Sequence, residues 1–417
     1  MKKTILFLLS ALYLFAADAT LEVIKEVGSA LNVIVEPKNR YQSDLDKRIG
    51  RAIEADLKVA GFYNVLPVPA NAAPTLEIDN PVYRNLNHLV RYEFFRENGK
   101  IGIRTEAFDI RTKRTILAQS YTVTREDRFV FLAHNFVKDL ADKLGTANLE
   151  WMGRYVLLSR HLGAKETEIL IADYSLTFQQ TIVKGGFNVF PKWADNSQTA
   201  YYFTKYLDKP TLFKVDLYSG ERTKIIESEG MLVCSDVSAD GKKLLLTMAP
   251  DDQPDIYEYD TTSKKLRRLT TFNGIDVSGH YLEDDSAFVF VSDRLGYPEI
   301  FYSQLSDPNN AIQFVFKGRN NNYIDTFGNY AVFVSRETDS EFADNTFNLY
   351  LISTKSDYIR QLTTTYKNNF PRFSSSGDTI MYTKEMRRES ALGIIRLPYQ
   401  KSFLFPLESG WIQAIDW

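Results

Sequence analysis

From about residue 154 onward the chain alternates short apolar or aromatic runs with polar turns, at the two-residue period of half-buried strands. Turns such as Asp195-Asn196, Asp240-Gly241, Gly328-Asn329 and Gly377-Asp378 tolerate the positive φ of tight hairpins, so each joins two antiparallel strands. The strands leaving these turns end at Ser159, Thr204, Met248, Ser292, Ser335 and Thr383, spaced 43 to 48 residues apart. A third strand in each unit carries Ile169, Leu212, Ile256, Ile300, Leu349 and Gly393, spaced 43 to 49. Two independent series agree on six units, and four strands repeated every roughly 40–45 residues is the period of a β-propeller blade.

The innermost strands share a glycine followed seven positions later by a bulky residue. The copies run Gly186 to Trp193, Gly230 to Val237, Gly274 to Tyr281 and Gly410 to Trp417, and Phe190-Pro191-Lys192-Trp193 is echoed by Phe370-Pro371-Arg372-Phe373. The first unit starts at its second strand, near Arg154 to Leu158, while a spare inner strand occupies residues 411–417. The C-terminal strand is therefore expected to return to blade one and seal the ring, since radial closure protects edges that would otherwise pair with other chains.

Upstream the period changes. Ser43 precedes Leu45, Ile49, Ile53, Leu57 and Ala60, one apolar stripe at helical spacing that Gly61 stops. A second helix is predicted from about Asp127 to Leu144, with Val130, Ala133, Phe136, Val137 and Leu140 inward and Gly145 ending it. Segments 89–95, 101–110 and 116–123 alternate as strands, so two helices on a small sheet form a front α/β domain. Before it, Lys2-Lys3, an apolar run from Ile5 to Phe15 and Ala16-Ala17-Asp18-Ala19 follow the order of a secretory signal peptide, cut among Ala16, Ala17 and Ala19. The domains are thus a leader over 1–19, an α/β domain over 20–147 and a six-bladed propeller over 148–417.

Composition narrows the function. Net charge is −3 and the charges are well mixed, leaving no basic stripe for nucleic acid. Cys234 is the only cysteine, which excludes an internal disulfide, and its place at the start of an inner strand reads as a buried apolar thiol. There is no Gly-x-Ser-x-Gly elbow, no phosphate-cradling glycine loop and no His or Cys cluster at metal-ligand spacing. His88, His134, His161 and His280 are scattered over different elements and read as structural or surface imidazoles. Neither a catalytic set, a cofactor nor a metal is expected.

One pattern remains. The residue before each bulky inner-strand position faces the channel by strand alternation, and around the ring it reads Asp416, Lys192, Asp236, His280, a position near Tyr323 to Asp325, then Arg372. Signs nearly alternate, which fits ion pairing between neighbouring blades or a polar lining for water or an ion.

The leader, the helix-bearing front domain and the six units together resemble the TolB family, periplasmic components of the Tol-Pal system. Ser238-Ala239-Asp240-Gly241-Lys242-Lys243-Leu244 is similar to the family's Ser-Pro-Asp-Gly-x-x-Leu turn, Phe190-Pro191-Lys192-Trp193 to its Pro-x-Trp, and Asp56 to Phe62 to its front-domain helix end. Turns at 194–197 and 282–285 depart from that pattern. The resemblance implies a non-enzymatic, monomeric adaptor between the Pal lipoprotein and inner-membrane Tol proteins, serving outer-membrane integrity and constriction during cell division. It implies a Pal contact at Met231, Cys234 and Val277. It also implies an N-terminal switch toward TolA at Thr20, Leu21, Glu22, Val23 and Ile24. The alternative is a secreted propeller enzyme, a metal-dependent lactonase or a lyase, with a site at the channel mouth.

Overall fold

The computed structural model describes residues 30–39, 43–73, 76–282, 285–337 and 345–417. The signal-peptide and switch segments expected at 1–19 and 20–24 lie outside the described residues.

The front unit is a five-stranded sheet in the order β2-β1-β3-β4-β5, with β1 Leu31–Pro37, β2 Tyr63–Val65, β3 His88–Glu97, β4 Lys100–Asp109 and β5 Arg114–Val123. β1 pairs in parallel with both β2 and β3, and the rest is antiparallel. The two parallel strands were absent from the alternating pattern. β1 is buried over the continuous run Val33 to Glu36, so both of its faces are covered and it shows no polar-apolar alternation.

Helix α1, Asp44–Ala60, begins where Ser43 accepts a hydrogen bond from the Asp46 N–H and ends at Gly61, φ 95°. Its buried stripe is Leu45, Ile49, Ile53, Leu57 and Ala60, as the spacing predicts. Helix α2 is Val130–Leu144 and stops at left-handed Gly145. It begins later than the expected Asp127, because Glu126–Arg128 forms a separate 3-10 turn.

The remaining strands form four four-stranded sheets and one of eight, in which the single parallel bridge Phe347 to Lys367 joins two four-stranded halves, so that the strands group into six blades of four. Their innermost strands are Trp411–Asp416, Phe187–Trp193, Leu232–Val237, Asp276–Leu282, Arg319–Phe327 and Lys367–Phe373, for blades 1 to 6. The C-terminal strand pairs with Val156–Gly163, with Ala414 opposite Ser159 and Ile415 opposite Leu158. Blade 1 is therefore built from both ends of the repeat region. Gly410 permits the turn into it: φ is +80°, and a Cβ there would lie 2.7 Å from the His161 carbonyl oxygen. Several second strands run past the anchors expected to end them, to Gly163, Tyr206 and Glu385.

The front unit and the propeller share one apolar core. It runs from Ile49 and Phe136 through Trp151, Tyr174 and Phe178 to Leu158 and Ile415. Propeller groups also cap the front helices: Lys401 Nζ donates to Gly61 O at 2.7 Å, and Tyr399 Oη donates to Thr146 O at 3.3 Å. A cation at the C-terminal end of α1 complements its dipole.

Candidate functional site: the propeller channel

Every inner strand carries a β-bulge against its neighbour. The register shifts fall between Tyr202 and Thr204, Cys234 and Asp236, Val277 and His280, Asn322 and Ile324, Asn369 and Arg372, and Ile412 and Ala414. In four of the blades a non-glycine residue there has positive φ: Phe190 (51°), Ser278 (56°), Tyr323 (40°) and Phe370 (50°). A bulge bends the strand and re-aims the next side chains. In this ring it turns one ionisable residue per blade into the channel.

Those six residues are Asp416, Lys192, Asp236, His280, Asp325 and Arg372, in blade order. The position uncertain in the sequence is Asp325, and with it the residue types alternate: an aspartate on each odd blade, and Lys192, His280 or Arg372 on each even one. Lys192 Nζ lies 2.9 Å from Asp416 and 3.3 Å from Asp236. His280 Nδ1 is 3.6 Å from Asp236, and Arg372 is 3.3 Å from Asp416 and 4.0 Å from Asp325. Each aspartate also accepts a backbone N–H from the next blade, from Trp193 to Asp416 (2.8 Å), Tyr281 to Asp236 (2.9 Å) and Phe373 to Asp325 (2.7 Å). These contacts join the inner strands of blades 5, 6, 1, 2, 3 and 4 in succession.

The charges are compensated unequally. Burial alone would raise the Asp236 carboxyl, but Lys192 and His280 outweigh it and hold its pKa below the ordinary range. Burial opposes the Lys192 ammonium too, and Asp416 and Asp236 still raise its pKa. At Asp325 burial prevails over Arg372, and the pKa is raised.

The ring separates two cavities, and Lys192 and Arg372 border both. One, of about 270 Å³, is bounded by Trp151, Arg154, Asp195, Asp325 and Asp416. The other, of about 210 Å³, opens where the chain leads into the inner strands and is mainly apolar. Met231, Cys234 and Val277 line this second cavity together with Phe190, Tyr323 and Phe370 of the neighbouring inner strands. Met231 is exposed at its mouth, Val277 is half-buried and Cys234 is buried. Burial pushes the Cys234 thiol well above its usual pKa, so it is an apolar wall atom and a poor nucleophile. The sequence reading gave the bulge aromatics no role, although the repeated Phe-Pro pair marks Phe190 and Phe370, since proline inside a strand belongs at an edge or a bulge.

Among the described residues no group of three or more His, Cys, Asp or Glu side chains could hold a metal ion. No described helix is long and apolar enough to cross a membrane.

The TolB beta propeller domain family matches residues 153–417. The Tol-Pal system protein TolB of Wolinella succinogenes is 48% identical over 409 residues, which is 97% of each chain. The Tol-Pal system protein TolB of Campylobacter jejuni strain RM1221 is 43% identical over 422 residues, spanning both chains completely. Among solved structures, TolB from Acinetobacter baumannii superposes with a TM-score of 0.78 over 93% of this chain and 97% of its own, at 20% identity, which shows the shared fold. The chain belongs to the TolB family of Tol-Pal system proteins.

Proposed function

We propose that this protein is a non-enzymatic periplasmic adaptor that binds the Pal lipoprotein through the apolar channel cavity and signals to TolA through its N-terminal segment, so maintaining outer-membrane integrity and constriction during division. The supporting observation is that Met231, Cys234 and Val277, from two successive blades, line one cavity beside the bulge aromatics. An apolar centre with a polar floor suits a desolvated protein contact. The propeller-enzyme alternative called for carboxylates or imidazoles converging on one point. In the ring every carboxylate instead has a lysine or arginine neighbour.

Val277→Arg should place an unpaired charge in the contact and weaken Pal binding by about two orders of magnitude or more. Calorimetric titration against the soluble domain of the cognate Pal measures this, with circular dichroism confirming the fold. Unchanged affinity in a folded variant would move the interface elsewhere. Deleting residues 20–24 should abolish TolA capture while sparing Pal binding, and capture by the deleted protein would remove the switch role.

A further inference from the structure

A second cluster of buried titratable groups lies outside the channel, where the front unit meets blade 1. His134, on α2, is completely buried. Its Nδ1 is 2.7 Å from Asp56 Oδ2, on α1, and its Nε2 is 3.3 Å from Asp173 Oδ2, in the turn after the propeller strand Glu166–Ala172. Both carboxylates are buried, and each is committed to other donors as well. Tyr174 Oη donates to Asp56 Oδ1, and the Ser175 and Phe178 N–H groups donate to Asp173 at 2.8 and 2.6 Å. The imidazole is walled by Phe131 of α2 and Tyr174 of the turn.

We propose that doubly protonated His134 is an interdomain latch, a buried cation held between a front-helix carboxylate and a propeller carboxylate, without which the front unit hinges on blade 1.

The donor count supports the charged form. A neutral imidazole has one N–H and can donate to only one of the two aspartates at its nitrogens; only the cation donates to both. Two buried carboxylates without a cation between them would repel across the joint. The titratable groups facing the ring are Asp56 from α1 and Asp173 and Tyr174 from the turn. Burial opposes the imidazolium, yet the Asp56 charge and the bonds to Asp173 and Asp56 outweigh it and raise its pKa to about 10. Asp173 is lowered: burial would raise it, and the bond from His134 prevails. Because the folded pKa is raised, the cation's contribution to stability is complete below the unfolded value of about 6.5 and is lost as pH rises through about 10, while in the folded protein the cation itself persists until pH approaches about 10. It stays closed at neutral pH and acts as a fixed joint.

Two measurements on the leaderless full-length protein test this. Histidine-labelled nuclear magnetic resonance, assigned by the proximity of the ring to Phe131 and Tyr174, should show both His134 nitrogens protonated at about pH 8. Spin labels on Lys47→Cys and Lys242→Cys, both exposed positions, should give a narrow distance distribution that broadens at least about twofold in His134→Gln and in Asp173→Asn. His161→Gln should leave it unchanged. A His134 that has lost a proton by about pH 8 overturns the latch even if neither variant folds. So does an equally narrow distribution in the folded variants.

Discussion

At the scale of single residues the channel ring makes a prediction about unequal partners. Asp236 and Asp325 each accept a backbone N–H that an asparagine oxygen could still accept, so Asp→Asn substitutions isolate the charge. Asp236, with its lowered folded pKa, contributes stability that is complete above the unfolded value of about 3.9 and is lost as pH falls toward the folded value. Asp325 has the opposite sign, since its raised pKa means that ionisation costs stability as pH rises past about 3.9. At pH 7 Asp236→Asn should therefore lower the urea-unfolding free energy by about 3–5 kcal/mol, as for a broken buried pair. Asp325→Asn should be close to neutral or stabilising, and equal losses would contradict the assigned compensation. Lys192→Met should likewise be more damaging than Lys192→Met combined with Asp236→Asn, because the single change leaves two aspartates facing one another.

At the scale of elements, the C-terminal strand decides whether the ring is closed. Removing residues 411–417 exposes the edge of Val156–Gly163 and takes away the Trp417 ring that packs 5.5 Å from Trp151. The loss should be several kcal/mol, comparable to a core aromatic deletion of about 3–5 kcal/mol, and calorimetry should show a clearly lower melting temperature. Gly410→Ala is the finer test. It forces an alanine to φ +80° against the His161 carbonyl, at a cost of about 1–3 kcal/mol. A truncated protein that melts at the original temperature would mean that the strand contributes nothing to closure.

At the scale of the whole molecule, the boundary expected at residues 147 and 148 divides the polypeptide without dividing the core. Trp151, Tyr174 and Phe178 belong to the propeller sequence and are buried in a cluster shared with α1 and α2. A fragment starting at residue 148 should therefore expose them. Its melting temperature should fall by about 10 °C or more, since each kcal/mol shifts a domain of this size by about 2–4 °C. A fragment as stable as the full chain would show the joint to be dispensable to the propeller.

The repeat, its six units and the closing strand were legible because strand period and hairpin turns are local properties that recur. Ser43 and Gly61 bounded α1 for the same reason: capping is settled within a few residues. The ring was legible from the bulky end of each inner strand, where alternation is regular, and became uncertain near Tyr323 because that strand carries two register shifts where the other inner strands carry one. Strand β1 escaped because burial on both faces erases alternation, and β2 because its pairing with β1 joins residues far apart in sequence. The sequence showed His134 as a lone imidazole on a helix. Only the fold brings Asp56 and Asp173 to its two nitrogens from 78 residues before it and 39 after it. Local pattern thus determined the repeating architecture, while tertiary packing decided which charges are buried and which partners compensate them.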